Sequence, residues 1–205
     1  MIRLAARHPT WALGFQDEVW WSRLARPDLH AWTDAEDRVR LVGQAVAKDD
    51  PDPKALACYG LLLRSATEDG GWREETWLRF VDGRPVSAVT TEYLAWCCAR
   101  LQAAGKEALL LVWDNAAWHV SRAVRTWIHA HNRRVKWSGR GVRIIACYLP
   151  SKSPWLNPIE PKWVHGKRKV VEPDRLLSAH ELAERVCAVF HCPYEPHLHK
   201  SQEVA

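Results

Sequence analysis

The side chains best placed for chemistry are acids at unusual positions in the sequence. Asp17 lies in the segment 11–21, where Leu13, Phe15, Asp17 and Val19 alternate with smaller or polar residues. This alternation predicts a β-strand that carries the four side chains on one face. A carboxylate on an apolar face is costly unless a cation or hydrogen bonds hold it. The position of Asp17 therefore requires such a partner.

A second acid, Asp114, directly follows the continuous apolar run Ala108–Trp113. Such a run is typical of a central strand that is covered on both faces. Ligands of open α/β sheets usually bind at the carboxyl ends of the strands. A plainer alternative is that Asp114 or the adjacent Asn115 only caps the helix predicted to follow.

A third acid, Glu160, stands in the proline-rich motif LPSKSPWLNPIEPKW. Asn157 is a good N-cap, Pro158 suits the first helical position, and Glu160 then falls at the third. A capping role for Glu160 is a strong alternative, since glutamate is favoured on the first helical turn. The rigid loop, and the placement of Trp163 and Lys167 on the face of Glu160, argue for more than a cap.

Strands and helices alternate along the chain in an order that would position these acids. The patterns predict strands at 11–21, 55–64, 76–81, 108–113 and 142–149, with loops at 48–54 and 69–71. They predict helices at 91–104 and 121–131. Two further helices are predicted to begin at Asn157 and at the capping box Ser178-x-x-Glu181. This order indicates an α/β protein with a mixed central sheet flanked by helices. RNase H-like folds have it, as do other mixed folds.

Composition limits the class of protein. The chain has 205 residues, 47% hydrophobic and 26% charged, which predicts one soluble globular domain. The net charge of +5 suits a polyanionic partner without requiring one. No apolar run is long enough to span a bilayer, and the N-terminus lacks the apolar core of a signal peptide. We therefore expect a cytoplasmic protein with no membrane partner.

The C-terminal segment from Cys187 to His199 is rich in Cys and His. Its spacing matches no standard zinc pattern, and Pro193 and Pro196 interrupt it. The role of this tail stays open. The six cysteines form no C-x-x-C pair, and most suit small core positions.

Two motifs together carry a resemblance to a known family. Asp114-Asn115-x-x-x-His119 is followed by the long motif that runs from Leu149 through Asn157-Pro158-Ile159-Glu160 to Lys167. This pairing resembles the DDE catalytic domain of bacterial insertion-sequence transposases of the mariner-like superfamily. Asp17-Glu18 resembles the first-acid segment of that family. The match runs in order from about residue 11 to 190, and its second motif is the most specific part.

The resemblance implies an RNase H-like fold in which Asp17, Asp114 and Glu160 are the catalytic, metal-binding acids. By analogy, Asp17 would bridge two Mg²⁺ or Mn²⁺ ions. This agrees with physical chemistry, because hard cations prefer carboxylate oxygens and two ions can activate a nucleophile and stabilise the leaving oxygen.

Further residues are expected to support the site or to bind DNA. The supporting residues are Glu18, Asn115, His119 and Asn157, of which Asn115 and His119 would orient the metal shell or touch a phosphate. A helix-start role fits His119 equally well. The expected phosphate-backbone contacts are Lys152, Lys162, Lys167, Arg168 and Lys169, although a charged helix face is the alternative.

The implied activity is that of a transposase catalytic domain. Metal-dependent hydrolysis at transposon ends would be followed by attack of the freed 3′-hydroxyl on target DNA, in a homo-oligomer on DNA. The alternatives are an RNase H-like nuclease without strand transfer, and a decayed fragment that only binds DNA or a partner.

The sequence departs from the family pattern in two places. Glu160 follows Asp114 by 46 positions, longer than usual, and the excess falls in the basic stretch 132–141, which is either a DNA contact or a solvated loop. Helix-turn-helix modules normally precede this domain, yet only about ten residues come before the first strand. We therefore expect that the chain works with a separate helix-turn-helix subunit from an upstream frame, or that it is a fragment or a decayed copy.

The expected domain boundaries are a leader at 1–10, the catalytic domain at 11–190 and a tail at 191–205.

Overall fold

A mixed sheet organises the protein. The structure, a computed structural model, describes residues 2–24, 45–67, 71–170 and 175–199. The strands of this part of the chain are β1 (Trp11–Ser22), β2 (Ala55–Ala66), β3 (Trp72–Val81), β4 (Ala108–Trp113) and β5 (Arg143–Tyr148). They lie in the order β3-β2-β1-β4-β5. β1, β4 and β5 are parallel to one another, whereas β2 is antiparallel to both β1 and β3.

Helices cover both faces of this sheet. They are α1 (Ile2–Arg7), α2 (Ser87–Ala103), α3 (Arg122–Ser138), α4 (Glu160–Val170) and α5 (Ala179–Val189). The side chains of the apolar run of β4 belong to the core on both faces of the sheet, because successive side chains of a strand point to opposite faces. Leu109 and Leu111 pack with α2 and α3, whereas Leu110 and Val112 pack with α4 and α5. The predicted α/β architecture, a mixed sheet flanked by helices, is confirmed.

The boundaries of β3, α2 and α3 differ most clearly from the sequence prediction. β3 begins at Trp72 rather than at residue 76, because exposed charged residues at its start hid the strand. Thr91 is not a cap, since α2 begins at Ser87 after Val86, which makes no side-chain capping bond. α3 continues to Ser138, where Gly139 ends it with a φ of 64°. The stretch 132–141 is therefore mostly helix rather than a loop, and residues 69 and 70 of the predicted turn lie outside the described residues.

Helix α4 also begins differently from the prediction. A short 3-10 helix, Pro154–Leu156, precedes it, and α4 starts at Glu160. The Asn157 carbonyl accepts a bond from the Glu160 amide at 3.1 Å, whereas its side-chain amide donates to the Gln16 carbonyl of β1 at 3.1 Å. Asn157 is thus an anchor between the loop and the sheet, and its side chain does not cap α4.

Both terminal segments pack on the sheet. α1, in the expected leader, buries Ala5 in the core on the α4 and α5 side. Leu198 is buried and bonds to β3 through its amide, which donates to the Phe80 carbonyl at 2.8 Å, and through its carbonyl, which accepts from Asp82 at 3.0 Å. The C-terminal segment thereby covers the edge of β3. Among the described helices, none has the length and apolar character that crossing a bilayer requires.

Candidate active site

Sheet topology brings the first two acids to one edge. β1 and β4 are neighbours and parallel, and their pairing ends at Phe15 opposite Val112. Asp17 and Asp114 each lie two residues beyond that last pair. β1 itself continues to Ser22, so Asp17 lies inside the strand, whereas β4 ends at Trp113, just before Asp114.

Glu160, on the first turn of α4, meets Asp17 directly. The two side chains lie within reach of each other, and each affects the pKa of the other. Burial, and secondly the negative charge of Glu160, raise the pKa of Asp17 to about 7. Burial and the charge of Asp114 also raise the pKa of Glu160, against the lowering effect of the hydrogen bond from Asp17. The structure therefore brings together the three acids that the sequence singles out.

Trp163 holds Asp17 from the other side. Its indole Nε1 donates to Asp17 Oδ2 at 2.9 Å, which opposes the rise in the pKa of Asp17. Gly60 of β2 lies opposite Asp17, and a Cβ at Gly60 would collide with the Trp163 ring. Sequence reasoning placed Trp163 on the face of Glu160 but missed both contacts. A glycine inside an otherwise apolar strand was the available signal for a close approach.

His119 fixes the orientation of Asp114. Its Nδ1 lies 2.7 Å from Asp114 Oδ1, and its Nε2 lies 2.9 Å from Glu18 Oε1. Burial alone would lower the pKa of His119, but the bonds to the two carboxylates outweigh it and raise the pKa to about 9. The bond from His119 also lowers the pKa of Asp114. His119 is fully buried, so it orients Asp114 and does not reach a phosphate in this conformation.

Glu18 lies on the face of β1 opposite to Asp17, as the alternation of the strand requires. Its carboxylate also accepts from Gln16 Nε2 at 2.9 Å and from Trp118 Nε1 at 3.2 Å. Glu18 therefore supports Asp114 through His119 and stands apart from the Asp17–Glu160 pair.

An open cleft lies over the acids. Its volume is about 400 Å³, and it is lined by Asp114, Asn115, Ala116, Leu149, Pro150, Ser151, Lys152, Ser153, Pro154, Asn157 and Glu160. Asn115 Nδ2 donates to the Leu149 carbonyl at 2.6 Å and thereby ties the end of β4 to the rim. Asp17 does not line the cleft itself, but it neighbours Glu160, which does.

The basic residues near the site differ in their surroundings. Lys152 lines the cleft, with a φ of 57°. Lys162 Nζ is paired with Glu74 of β3 at 2.9 Å, and therefore is not a free cation. Lys167, Arg168 and Lys169 are exposed on the last turn of α4. The positive charge of Lys167 lowers the pKa of Glu160, which shows that this side chain lies near the site.

The donor chemistry of the site fits a hard divalent cation. It offers carboxylates whose mutual repulsion a cation would relieve, and Asp114 retains a half-exposed side chain. Asn157 Oδ1 on the cleft wall is buried and has no hydrogen-bond partner within the described ranges. In those ranges no three His, Cys, Asp or Glu side chains form a ready-made ligand cluster. Asp17, Asp114 and Glu160 are therefore near one another but do not form a complete set of metal ligands in this conformation.

Comparison with known proteins agrees with this geometry. The family model of the DDE superfamily endonucleases matches residues 72–183, which is more than half of the chain. The protein belongs to this family. Membership implies the use of a divalent metal ion. No curated protein matches the chain in sequence.

Solved structures share the fold at low sequence identity. A Mos1 transposase paired-end complex with left transposon end has a TM-score of 0.59 and 16% identity, and the match covers 94% of this chain and 52% of that one. The Mos1 Strand Transfer Complex has a TM-score of 0.56 and 14% identity, covering 94% and 52%. A Mos1 mariner paired end complex with Mn has the same score and identity, covering 93% and 52%. The chain thus shares the RNase H-like fold of these structures and spans about half the length of their chains.

Proposed function

We propose that this chain is the catalytic domain of a transposase, which cleaves DNA strands and joins the freed ends to target DNA. The observation that carries the proposal is the convergence of Asp17, Asp114 and Glu160 at one sheet edge in a DDE-family chain. The structural likeness to transpososomes that contain transposon ends supports DNA as the substrate.

The three acids would hold two ions, Mg²⁺ or Mn²⁺. Bound there, the ions would lower the pKa of an attacking water and neutralise the leaving oxygen. Asp17 would be ionised when it serves as a ligand beside Glu160, and a pKa of about 7 makes that ionisation accessible at neutral pH.

Of the residues around the acids, some would position the acids and others would contact the DNA backbone. His119 keeps Asp114 oriented, and Glu18 holds the far nitrogen of the imidazole. Asn115 and Asn157 fix the loop that forms the cleft rim. Lys152 lines the cleft and Lys167 lies near Glu160, and their charges, with those of the exposed Arg168 and Lys169, would hold the phosphate backbone. Lys162 would contribute only if its pair with Glu74 opened.

Recognition of transposon ends would come from outside this domain. A helix-turn-helix partner or segment, of the kind that the family resemblance implies, would supply this recognition. We further propose that the protein acts as a homo-oligomer on DNA, since a pair of ends requires a pair of active sites, and that it works in the cytoplasm.

A plasmid assay tests the proposal. Purified protein with Mn²⁺ is incubated with supercoiled plasmid and with a duplex that bears a labelled 3′-hydroxyl end. We expect nicking and transfer of label into the plasmid, both lost in Asp114→Asn and in Glu160→Gln. Asp49→Asn, which changes an exposed acid in a turn, is the matched control and should retain both activities. Nicking without transfer would identify a nuclease, and activity retained in both site variants would refute the proposal.

A further inference from the structure

Helix α3 carries an unusual concentration of positive charge. Between Asp114 and Glu160 the chain has no Asp or Glu and has eight Lys or Arg residues. Five basic side chains recur on α3 at steps of three or four residues, and we call them the basic face: Arg122, Arg125, His129, Arg133 and Lys136. At 100° per residue they fall within an arc of about 80°. All five are exposed, whereas Val124 and Ile128 on the opposite side of the helix are buried.

Helix stability does not explain the basic face. Arg122 and Arg125 lie in the first turn, where positive charge opposes the helix dipole. Like charges three or four residues apart also destabilise a helix. No carboxylate in the described part of the protein pairs with any of the five side chains. The free protein therefore keeps an unfavourable arrangement that a polyanion would relieve.

The basic face begins beside the cleft. Ser121 caps α3 by accepting a bond from Val124 at 3.2 Å, and it lies two residues after His119, the partner of Asp114. Burial raises the pKa of Tyr148, and the charge of Arg125 opposes that rise, so Arg125 lies near the end of β5. Tyr148 directly precedes Leu149 of the cleft rim. The basic face thus leads away from the site along α3.

The length and side-chain composition of the basic face indicate which kind of polyanion it fits. From Arg122 to Lys136 the helix rises about 21 Å, at 1.5 Å per residue. This length exceeds the width of the DNA major groove, about 12 Å, so the face can reach phosphates on both sides of it. A single-strand site would need aromatic side chains among the charges, and an interfacial membrane helix would need an apolar side facing the lipid. The basic face offers no row of aromatic side chains, since the exposed Trp137 stands at the helix end with Arg133 over its ring at 4.7 Å, and the apolar side of α3 packs on the sheet.

We propose that the basic face of α3 is a track for duplex DNA, which it binds through the phosphate backbone without reading sequence. The inference rests on the proposed function, since the track would hold the duplex that extends from the cleft. It is separate from the lysines of α4, which lie on the other side of the sheet.

The test measures duplex binding in EDTA, so that no metal-dependent step contributes. The full chain is titrated into a fluorescent 30-base-pair duplex, and anisotropy is followed between about 25 and 200 mM salt. The variant combines Arg125→Gln, Arg133→Gln and Lys136→Gln. The control combines Arg3→Gln, Arg7→Gln and Arg84→Gln, three exposed residues that change the net charge equally. Circular dichroism checks that all three proteins are folded.

We expect the α3 variant to bind at least tenfold more weakly at low salt. The slope of log K against log salt should fall by about 2.7, because each lost phosphate contact removes about 0.9. The control should stay within twofold of the wild type. Equal losses in the variant and the control, or a loss confined to single-stranded DNA, would overturn the inference. Binding is read without metal, so a failure of cleavage in the plasmid assay would refute the proposed function and leave this result interpretable.

Discussion

At the residue scale, the site consists of acids that the fold holds together against their mutual repulsion. Asp17 is partly buried beside Glu160, and this burial and the charge of Glu160 raise its pKa to about 7. Between about pH 4 and 7 the folded chain therefore binds a proton at Asp17 that the unfolded chain has released. Because the native state then binds more protons, stability falls as the pH rises through this window and levels off above it.

Asp17→Asn should remove this pH dependence. An asparagine can accept from Trp163, as Asp17 does, and its amide can donate to Glu160 without a charge on the side chain. In EDTA at pH 8 the variant should be more stable than the wild type, on the order of 1–3 kcal/mol, given about 1.4 kcal/mol per pKa unit. Urea unfolding at pH 5 and pH 8 measures this. A variant less stable at pH 8, or one with unchanged pH dependence, would contradict the geometry of the pair.

Gly60→Ala should separate Trp163 from Asp17. The added methyl group would strike the Trp163 ring, and overpacking of this kind costs about 1–3 kcal/mol. We expect lower stability together with a loss of Mn²⁺-dependent nicking. Gly14→Ala is the matched control, since its Cβ would press on the Cδ1 atoms of Leu61 and Leu109, at 2.8 and 2.9 Å, and not on Trp163. Equal loss of nicking in the two variants would show that Trp163 has no special role.

The residues of the site differed in how far the sequence could predict them. Asp114 and Glu160 stand in local motifs, and the structure places both at the cleft. The bond of Trp163 to Asp17 joins residues 146 positions apart, and that of His119 to Glu18 joins residues 101 apart. No local pattern encodes such pairs, because packing of α4 and of the loop after β4 onto β1 creates them.

At the element scale, the loop between β5 and α4 sets the position of Glu160. Asn115 and Asn157 each tie it down through one amide-to-carbonyl bond. Asn157 is buried, whereas Asn115 is exposed.

Asn157→Ala should therefore cost more than Asn115→Ala. The first change leaves the carbonyl of Gln16 without its donor in a buried place, which costs about 1–3 kcal/mol, whereas solvent can replace the lost bond in the second. Chemical denaturation of both variants tests this. A larger loss in Asn115→Ala would show that the anchor of Asn157 does not stabilise the loop.

The element boundaries that the sequence missed share a physical reason. α2 begins without a polar cap, and the first residues of β3 are exposed, so neither start carries the usual signal. The basic C-terminal part of α3 resembles a loop in sequence, but it is helical as far as Ser138, where the left-handed Gly139 ends the helix. Strand β4, by contrast, was predicted at its observed limits, because its six residues are all buried.

At the scale of the whole molecule, the order of strands and helices sufficed to predict a mixed sheet with helices on both faces. The strand order and the packing of the terminal segments needed the structure. In particular, the segment 193–199 covers the edge of β3, and its His197 and His199 both contact Asp82, at 2.6 and 2.8 Å. Exposed sheet edges favour association between chains.

Deletion of residues 193–205 should uncover the edge of β3 and expose Phe80, against which Tyr194 and His197 pack. We expect a lower melting temperature and concentration-dependent association in size-exclusion chromatography. Leu198→Ala is the companion variant, in which a buried side chain is lost but the backbone pairing is kept. A truncated chain that stays monomeric with an unchanged melting temperature would show that this segment is dispensable.

The central claim is that Asp17, Asp114 and Glu160 form one metal site, and calorimetric titration with Mn²⁺ tests it most directly. The wild type should bind at pH 7.5 and release protons on binding, because Asp17 gives up its proton to become a ligand. Asp114→Asn and Glu160→Gln should each abolish binding or weaken it at least tenfold, whereas Asp49→Asn should bind as the wild type does. Equal binding in all four proteins, or no binding in the wild type, would contradict the account.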